Sequence, residues 1–466
     1  MKQLLLDLLI RILRRCAQNY LQKTKPFLIG VTGSVGKTSC RLIVAESLKK
    51  LLPQESIYTS PKNYNSDIGL SLSILGIESY RPSIDGAITV SVEALKKSLF
   101  PGAGNPSLLV LEYGIDKPGD MDELLQIAVP DIAIFTSIDL VHAANFPDGK
   151  TGIYNEKIKL LKAAKDTVFL STEFKNGEFA SDIATVMQGK TTVEYGESQW
   201  EGQISFSDYK ISVSWSKITS SFLYTVNKET LLVTSNIVGE YNIAYMCVGI
   251  TIADVIAHRK AYPSLWTLQT LQLNIALQPG RYSLFGTMRD DIIVDSTYNA
   301  APGSMRKVIQ ETLSLQKEFF PNYKVICVLG EMRELGGTSK AEHEELGKRI
   351  ADKVDTIIWV SGNTVAMTDY LIGLDQSHRQ TYWVGRALET IEIVQTILDK
   401  DPAQKYIIIY KSSQGEIWLE EAIKPFIDPA YWTELPRQDK YRLQKKEFVK
   451  KRYLEPKEKI PEWANS

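Results

Sequence analysis

Short apolar runs recur along the chain, separated by longer stretches with helical spacing. Phe27 to Val31, "SLLVLEYG" (107–114), "DIAIFTSI" (131–138) and "TVFLS" (167–171) are continuous rather than alternating, which predicts strands buried on both faces of a parallel sheet. Behind the first run, Leu42, Ile43, Ala45, Leu48 and Leu52 fall on one side of a helix. From about residue 191 to 238 the pattern changes. "ISFSDYKISVSW" and "SFLYTVNKETLLVTS" alternate polar and apolar around a turn at Asn227-Lys228-Glu229, which predicts a small antiparallel β subregion. "NIAYMCVGITIADVIA" (242–257) returns to helix, and a boundary falls near "LQPGRYSLFG" (277–286). Beyond it, "DIIVDS" (291–296), "KVICVLGE" (324–331), "TIIWVSG" (356–362) and "KYIIIYK" (405–411) are spaced like the strands of a smaller doubly wound sheet.

The two ends of the chain read differently. In "MKQLLLDLLIRILRRCAQNYLQK", Leu4, Leu5, Leu8, Leu9, Ile12 and Leu13 form an apolar face interrupted by Asp7, Arg11, Arg14 and Arg15, with no small-residue cleavage site. Two readings stand: a helix lying on an anionic membrane surface, or a helix packed on the domain that follows. "KYRLQKKEFVKKRY" predicts a solvated basic helix or tail, and no run is long and apolar enough to span a bilayer. A chain of 466 residues implies two or three domains, and a formal net charge of -1 gives no global attraction to nucleic acid. Cys16, Cys40, Cys247 and Cys327 show no paired spacing, which speaks against a disulfide framework or zinc site and for a reducing cytosol.

The chemistry begins at "GVTGSVGKTS" (30–39). Strand, glycine-punctuated loop and helix follow in order, the arrangement that lets Gly33, Ser34, Val35 and Gly36 turn backbone N–H groups toward an anion. Lys37 is placed to reach terminal phosphates, the Thr38 hydroxyl to meet Mg2+, and Ser39 continues the helix N-terminus that favours negative charge. The first glycine of the usual motif would fall at Val31 and comes one residue early, at Gly30. The loop predicts a nucleoside triphosphate, with ATP as the default. The fold expected is α/β: an N-terminal amphipathic helix (1–26), a central P-loop parallel-sheet ATPase domain with a small antiparallel β subregion (27–277), a smaller Rossmann-like α/β domain (278–435) and a basic tail (436–466).

Ten stretches in sequence order resemble the Mur ligases, the ATP-dependent amide ligases that build the peptidoglycan stem peptide: "GVTGSVGKTS", "KNYNSDIGLSL", "LEYGIDKPGDM", "TSIDLVHAANF", "NEKIKLL", "VGEYNIAY", "PGRY", "DSTYNAAPGSM", "LGEMRELG" and "KSSQGE". The likeness runs from about residue 27 to 438 and is greatest to the MurF-type branch, which adds D-Ala-D-Ala. That family's phosphate loop also lacks the standard first glycine. The resemblance implies a reaction in which the γ-phosphoryl group of ATP activates a carboxylate and an amine attacks the acyl phosphate, chemistry that rests on positioning and charge neutralisation.

It also implies roles for particular residues. Glu112, at the carboxyl edge of its strand, and His142 match Mg2+ ligands, although Ser137 and Asp139 replace the family's asparagine and glycine before the histidine. Lys157 matches the lysine that is carbamylated by CO2 and so becomes a further acid for Mg2+; Lys159 and Lys162 are nearby alternatives. Arg281 matches the arginine that reaches the γ-phosphate from the second domain, a role suited to an always-charged, forked guanidinium. Asp295, Tyr298 and Asn299 match the nucleotide edge, as does Asn242, while Tyr245 stands where the family has a second asparagine facing adenine. Asn63, Asn65 and Asp67 match the loop that meets the growing peptide, and His343, Lys411 and Ser413 match positions on the amine side, Ser412 replacing a family glycine.

Only 26 residues precede the first strand, where typical relatives carry a UDP-gripping domain. The expectation is poor binding of free UDP, and docking of residues 1–26 to a membrane surface or a partner protein. The leading reading is a cytoplasmic ligase, peripheral to the inner face of the membrane, that joins a muropeptide-like acid to a dipeptide amine. A Mur-type ligase with another acid and amine, building polyglutamate or pseudopeptide, and a nucleotide-binding scaffold without activity are the alternatives.

Overall fold

The computed structural model describes the chain except residues 1, 63, 79, 82, 103, 141–144, 176, 197–202, 215–216, 227–228, 334, 361–379, 414–416, 439–441, 444 and 447–466. Two compact units emerge. One comprises Met1–Lys210, Ser220–Asn236 and Glu240–Ala276; the other comprises Ile211–Thr219, Ile237–Gly239 and Leu277–Ser466.

The first unit opens with α1 (Lys2–Thr24), followed by β1 (Phe27–Thr32), α2 (Lys37–Leu51), β2 (Ile57–Tyr58), α3 (Asp67–Leu75), α4 (Ile84–Leu99), β3 (Leu108–Glu112), α5 (Asp120–Ile127), β4 (Ile132–Phe135), α6 (Gly149–Ala163), β5 (Thr167–Ser171), α7 (Ala180–Val186) and β6 (Thr191–Tyr195). The six strands form one parallel sheet in the order β2-β3-β1-β4-β5-β6. Every residue of β3, β4 and β5 is buried, as their unbroken apolar runs require. The order matters for the site. With β3 on one side of β1 and β4 on the other, the sheet reverses its winding at β1, and the loops leaving these three strands open a crevice at their carboxyl ends.

A four-stranded sheet follows: β7 (Ser205–Ser214), β8 (Lys217–Val226), β9 (Glu229–Ser235) and β10 (Thr270–Leu273), in the order β10-β9-β8-β7. β8 and β9 pair antiparallel, as alternation predicts, whereas β10 joins β9 in parallel. α8 (Glu240–Arg259) lies between β9 and β10 in the chain and packs on α2, with Gly249 against Ser47 and Val44. Contrary to the sequence reading, α8 is long and apolar enough to cross a membrane, but 78% of its apolar window is buried inside the protein, as in a core helix.

α1 buries Leu9, Leu13, Cys16, Ala17 and Tyr20 and packs against α3 and α4. Arg14 donates to Asp67 and Glu123, at 3.4 and 3.1 Å. Packing on the following domain thus buries Leu9 and Leu13 of the apolar face read from the sequence, and leaves Leu5 and Leu8 of that face, with the neighbouring Leu6, exposed.

The second unit holds β11 (Ser283–Gly286), β12 (Ile292–Ser296), α9 (Pro302–Phe319), β13 (Lys324–Gly330), α10 (Ser339–Ile350), β14 (Thr356–Val360), β15 (Gln380–Val384), α11 (Glu389–Lys400) and β16 (Tyr406–Lys411). Its sheet runs β11-β12-β16-β13-β14-β15, parallel except for β11 at the edge. Ile293, Ile326, Val328, Ile358, Ile408 and Leu419 share its core. The last strand among the described residues, β16, enters the middle of the sheet, so the ends of β12 and β16 lie side by side, with Ser296 opposite Lys411. The basic segment that follows is not wholly solvated: Arg437 pairs with Glu420, and the buried Lys446 bonds Glu420 at 3.0 Å and Glu421 at 2.7 Å.

Candidate active site

The phosphate loop sits over the switch point. Val31, one residue before the end of β1, is in register with Glu112, the last residue of β3, so loop and carboxylate start as neighbours. Gly33 and Gly36 have φ of 146° and 87°. A side chain at Gly33 would strike Thr136, and one at Gly36 would strike the Tyr245 hydroxyl, so both glycines serve close approach as well as the turn. The loop is braced from the end of β4: the Ser137 carbonyl accepts from Ser34 N at 2.8 Å, and its hydroxyl accepts from Val35 N at 2.9 Å. Thr136 Oγ1 donates to the Val35 carbonyl at 2.6 Å. Lys37 Nζ donates to Gly33 O at 2.7 Å and Ser34 O at 3.3 Å, which holds its ammonium against the concave side of its own loop.

Glu112 is the hub of the site. It is buried, and its Oε2 accepts from Thr38 Oγ1 at 3.0 Å and from Arg41 Nε at 3.3 Å, while Oε1 accepts from Asn65 Nδ2 at 3.3 Å. A threonine hydroxyl and a carboxylate converging in this way are hard oxygen donors of the kind Mg2+ takes. Lys157, on α6, is 1% exposed. Burial pushes its amine well below the ordinary lysine range and the positive charge of Lys37 adds to this, against the opposing pull of Glu112, Asp116 and Glu156. The structure therefore brings Lys37, Thr38, Glu112 and Lys157 together, and a neutral amine at Lys157 is the form that reacts with CO2. Lys159, the nearest alternative, is instead tied to Asp122 and Glu156 at 2.6 and 2.9 Å, and its pKa is raised.

In the second unit the polar ends of β12 and β16 form another cluster. Asp295 is fully buried; its Oδ1 accepts from Thr297 N and Oγ1, at 3.0 and 2.7 Å, and its Oδ2 has no partner among the described residues. Burial pushes this carboxyl up to about 6. Lys411 Nζ donates to Ser296 Oγ at 3.2 Å and Asn299 O at 2.9 Å, and burial, helped by the charge of Arg281, lowers its pKa to about 7. Arg281 stacks its guanidinium 4.4 Å from the centre of the Tyr298 ring and donates to Gln278 at 3.2 Å. Ser413 Oγ accepts from Arg333 N at 3.0 Å and donates to Ala300 O at 3.1 Å, which ties the turn after β16 to those after β12 and β13.

The model of the Mur ligase middle domain matches residues 31–253, and that of the Mur ligase glutamate ligase domain matches residues 280–408. The chain belongs to the Mur ligase family. UDP-N-acetylmuramoyl-tripeptide--D-alanyl-D-alanine ligase of Bacillus subtilis is 27% identical over 431 residues, covering 91% of this chain and 81% of that protein. The crystal structure of MurF ligase from Thermotoga maritima in complex with ADP aligns with a TM-score of 0.65 at 20% identity, over 94% of this chain and 84% of that one. A pseudomurein peptide ligase type C from Methanothermus fervidus aligns with a TM-score of 0.54 at 15% identity, over 86% of this chain and 79% of that one.

Several of the residues matched to the Mur ligase motifs have other or additional duties. His142 and Asn63 lie outside the described residues. Asn65 holds Glu112, and Asp67 begins α3 in contact with Arg14, its carboxyl pushed up to about 7 chiefly by burial. His343 is fully buried, with Nε2 accepting from Met332 N at 2.9 Å and Nδ1 2.7 Å from Ser339 O. Both ring nitrogens are spent on backbone, so this histidine shapes the "GEMRELG" turn and has none left for a substrate. Asn242 is buried, and Tyr245 is fully buried beneath Gly36, edge-on to Tyr195 and Tyr241, instead of presenting a face to a base. Sequence reasoning missed Arg41. Its signal was a lone arginine one turn after Lys37, between the hydroxyl-rich start of α2 and the apolar run that follows, and it is 1% exposed.

Proposed function

We infer that this Mur ligase is an ATP-dependent amide ligase of peptidoglycan precursor assembly, joining the carboxylate of a muropeptide-like acid to D-Ala-D-Ala. The observation that carries the reading is the meeting of Lys37, Thr38, Glu112 and the buried Lys157, whose amine is pushed by burial well below the ordinary lysine range, beside one phosphate loop. Lys37 faces the position of the β- and γ-phosphates and stabilises charge as the phosphoryl group leaves ADP for the acceptor carboxylate oxygen. The amine of the dipeptide then attacks the carbonyl carbon, loses a proton, and phosphate departs. Thr38, Glu112, His142 and, once carbamylated, Lys157 would hold Mg2+, which would offset the phosphate charge. In the second unit Arg281 offers a permanent, forked positive charge and Asp295, with its unpartnered oxygen, a hydrogen-bond acceptor, both suited to nucleotide. Lys411 and Ser413 organise the turn that receives the amine.

The MurF-type relatives favour D-Ala-D-Ala over the amines of other Mur-type ligases. Four buried free thiols accord with a cytoplasmic enzyme. Any docking through residues 1–26 falls to Leu5, Leu6 and Leu8, since Leu9 and Leu13 are buried. The test is phosphate release together with mass spectrometry of the product, using UDP-MurNAc-tripeptide and D-Ala-D-Ala. A ligase releases phosphate only when acid and amine are both present and forms the coupled product. Release that needs neither, or coupling of another acid or amine only, removes this reading.

A further inference from the structure

Most of the large apolar side chains left exposed among the described residues lie on two neighbouring helices, α1 and α4. α4 is held from behind. Its small residues Val90, Ala94 and Ser98 are buried, and α1 closes its C-terminal end, with Asn19 and Lys23 donating to the Ser98 carbonyl at 3.1 and 3.0 Å. The face beside that contact carries Ile84, Ile88, Val92, Leu95 and Leu99, each between 46% and 66% exposed, and Phe100 follows at 78%. Leu5 and Leu8 of α1 are exposed as well. Together these side chains expose on the order of 700 Å2 or more, above the roughly 300–600 Å2 of the largest apolar patch on an ordinary monomer. They approach the ~800 Å2 that each partner contributes to a standard interface.

The pattern selects the kind of partner. Ile88, Val92, Leu95 and Leu99 are spaced four, three and four apart, the seam of a left-handed helix pair. The stripe covers about 80° of the helix, narrow enough for one facing helix. A helix lying in lipid shows a broad apolar side and a basic polar side. Here the polar flank is mixed, with Asp85, Thr89, Glu93 and Lys96. The charges beside the stripe are also ordered along the axis: Asp85 lies in the first turn and Lys96 in the last, while Lys97 turns inward and donates to the Gly76 carbonyl at 2.9 Å. A parallel copy would set lysine against lysine. An antiparallel copy brings the Asp85 end of each helix to the lysine end of the other and opposes the two helix dipoles.

We propose that this stripe is the interface between two copies of the chain, with the α4 helices antiparallel about a two-fold axis. Ile88 then faces the partner's Leu99, and Val92 faces the partner's Leu95. The inference is independent of the ligase reading.

Sedimentation of the full chain from submicromolar to tens of micromolar concentration tests it. The expected result is a monomer–dimer equilibrium that Ile88→Glu or Leu95→Glu weakens by about thirtyfold or more, as loss of a central apolar anchor does. Both positions are exposed in the single chain, so the thermal melting of the variants should match that of the parent. For the register, Ile88→Cys chains mixed with Leu99→Cys chains should cross-link faster than either variant alone; the four native cysteines are buried and do not compete. A chain that stays monomeric throughout overturns the proposal, as does a dimer indifferent to both glutamates or Ile88→Cys chains that cross-link best with themselves. Recruitment of the monomer to vesicles of phosphatidylcholine and phosphatidylglycerol, lost in Ile88→Glu, would make the face a lipid surface instead.

Discussion

Arg41→Met asks whether the hub carboxylate is built as described. Arg41 Nε lies 3.3 Å from Glu112 Oε2, and both side chains are 2% exposed. The guanidinium also donates to Thr59 Oγ1 and Ser60 O, each at 2.5 Å. Methionine keeps most of the volume but none of the charge, so Glu112 stays buried without the guanidinium beside it. Removing one partner of a buried pair costs about 3–5 kcal/mol. Thr38 and Asn65 still donate to Glu112, which puts the expected loss near the lower end, about 3 kcal/mol. Urea unfolding followed by circular dichroism measures it, and phosphate release measures the companion effect on turnover. Adding Glu112→Gln removes the stranded charge. The double variant should regain at least half of the lost stability while staying inactive, because a neutral amide cannot replace the carboxylate. A single-variant loss under about 1 kcal/mol, or losses that simply add in the double variant, would refute the coupling.

Lys37→Ala should lower turnover by about a thousandfold or more, and a rate within tenfold of the parent would remove the loop lysine from the chemistry. Lys157→Ala should be nearly inactive with its fold retained, and acetate in solution should restore part of the turnover; a normal rate contradicts the carbamate. Lys411 makes a pH prediction. Its folded pKa of about 7 lies below the ordinary 10.5, so the unfolded chain binds the extra proton between those values, and stability should rise with pH across that window. Lys411→Met should flatten that rise in urea midpoints, and an unchanged slope would show that the lysine is not buried as described.

The strand–loop–helix of the phosphate site was legible because three local signals coincide there: an unbroken apolar run, glycines at turning points, and a hydroxyl-rich helix start. Glu112 was legible as an acid ending an apolar run, and Lys157 only through its resemblance to a motif, since a lysine on a helix is ordinarily solvated. Arg41 was not, because periodicity says which face a residue occupies but not that a charge waits on that face to receive it. Strand order was equally hidden: nothing local places the final strand in the middle of the second sheet, or β10 parallel to β9. The helix at the start of the chain shows the same limit. An apolar face in α1 was visible, but its division between packing and exposure depends on α3 and α4, which the sequence of α1 does not contain.

Transfer of oxygen-18 from the acceptor carboxylate tests the central claim most directly. With ATP, D-Ala-D-Ala and a UDP-MurNAc-tripeptide labelled in its terminal carboxylate, mass spectrometry of the released phosphate reports how the carboxylate was activated. The account predicts one labelled oxygen in phosphate for each coupled product, since the acyl phosphate breaks at its carbonyl carbon. Unlabelled phosphate accompanying product, or phosphate released with no coupled product at all, would contradict it.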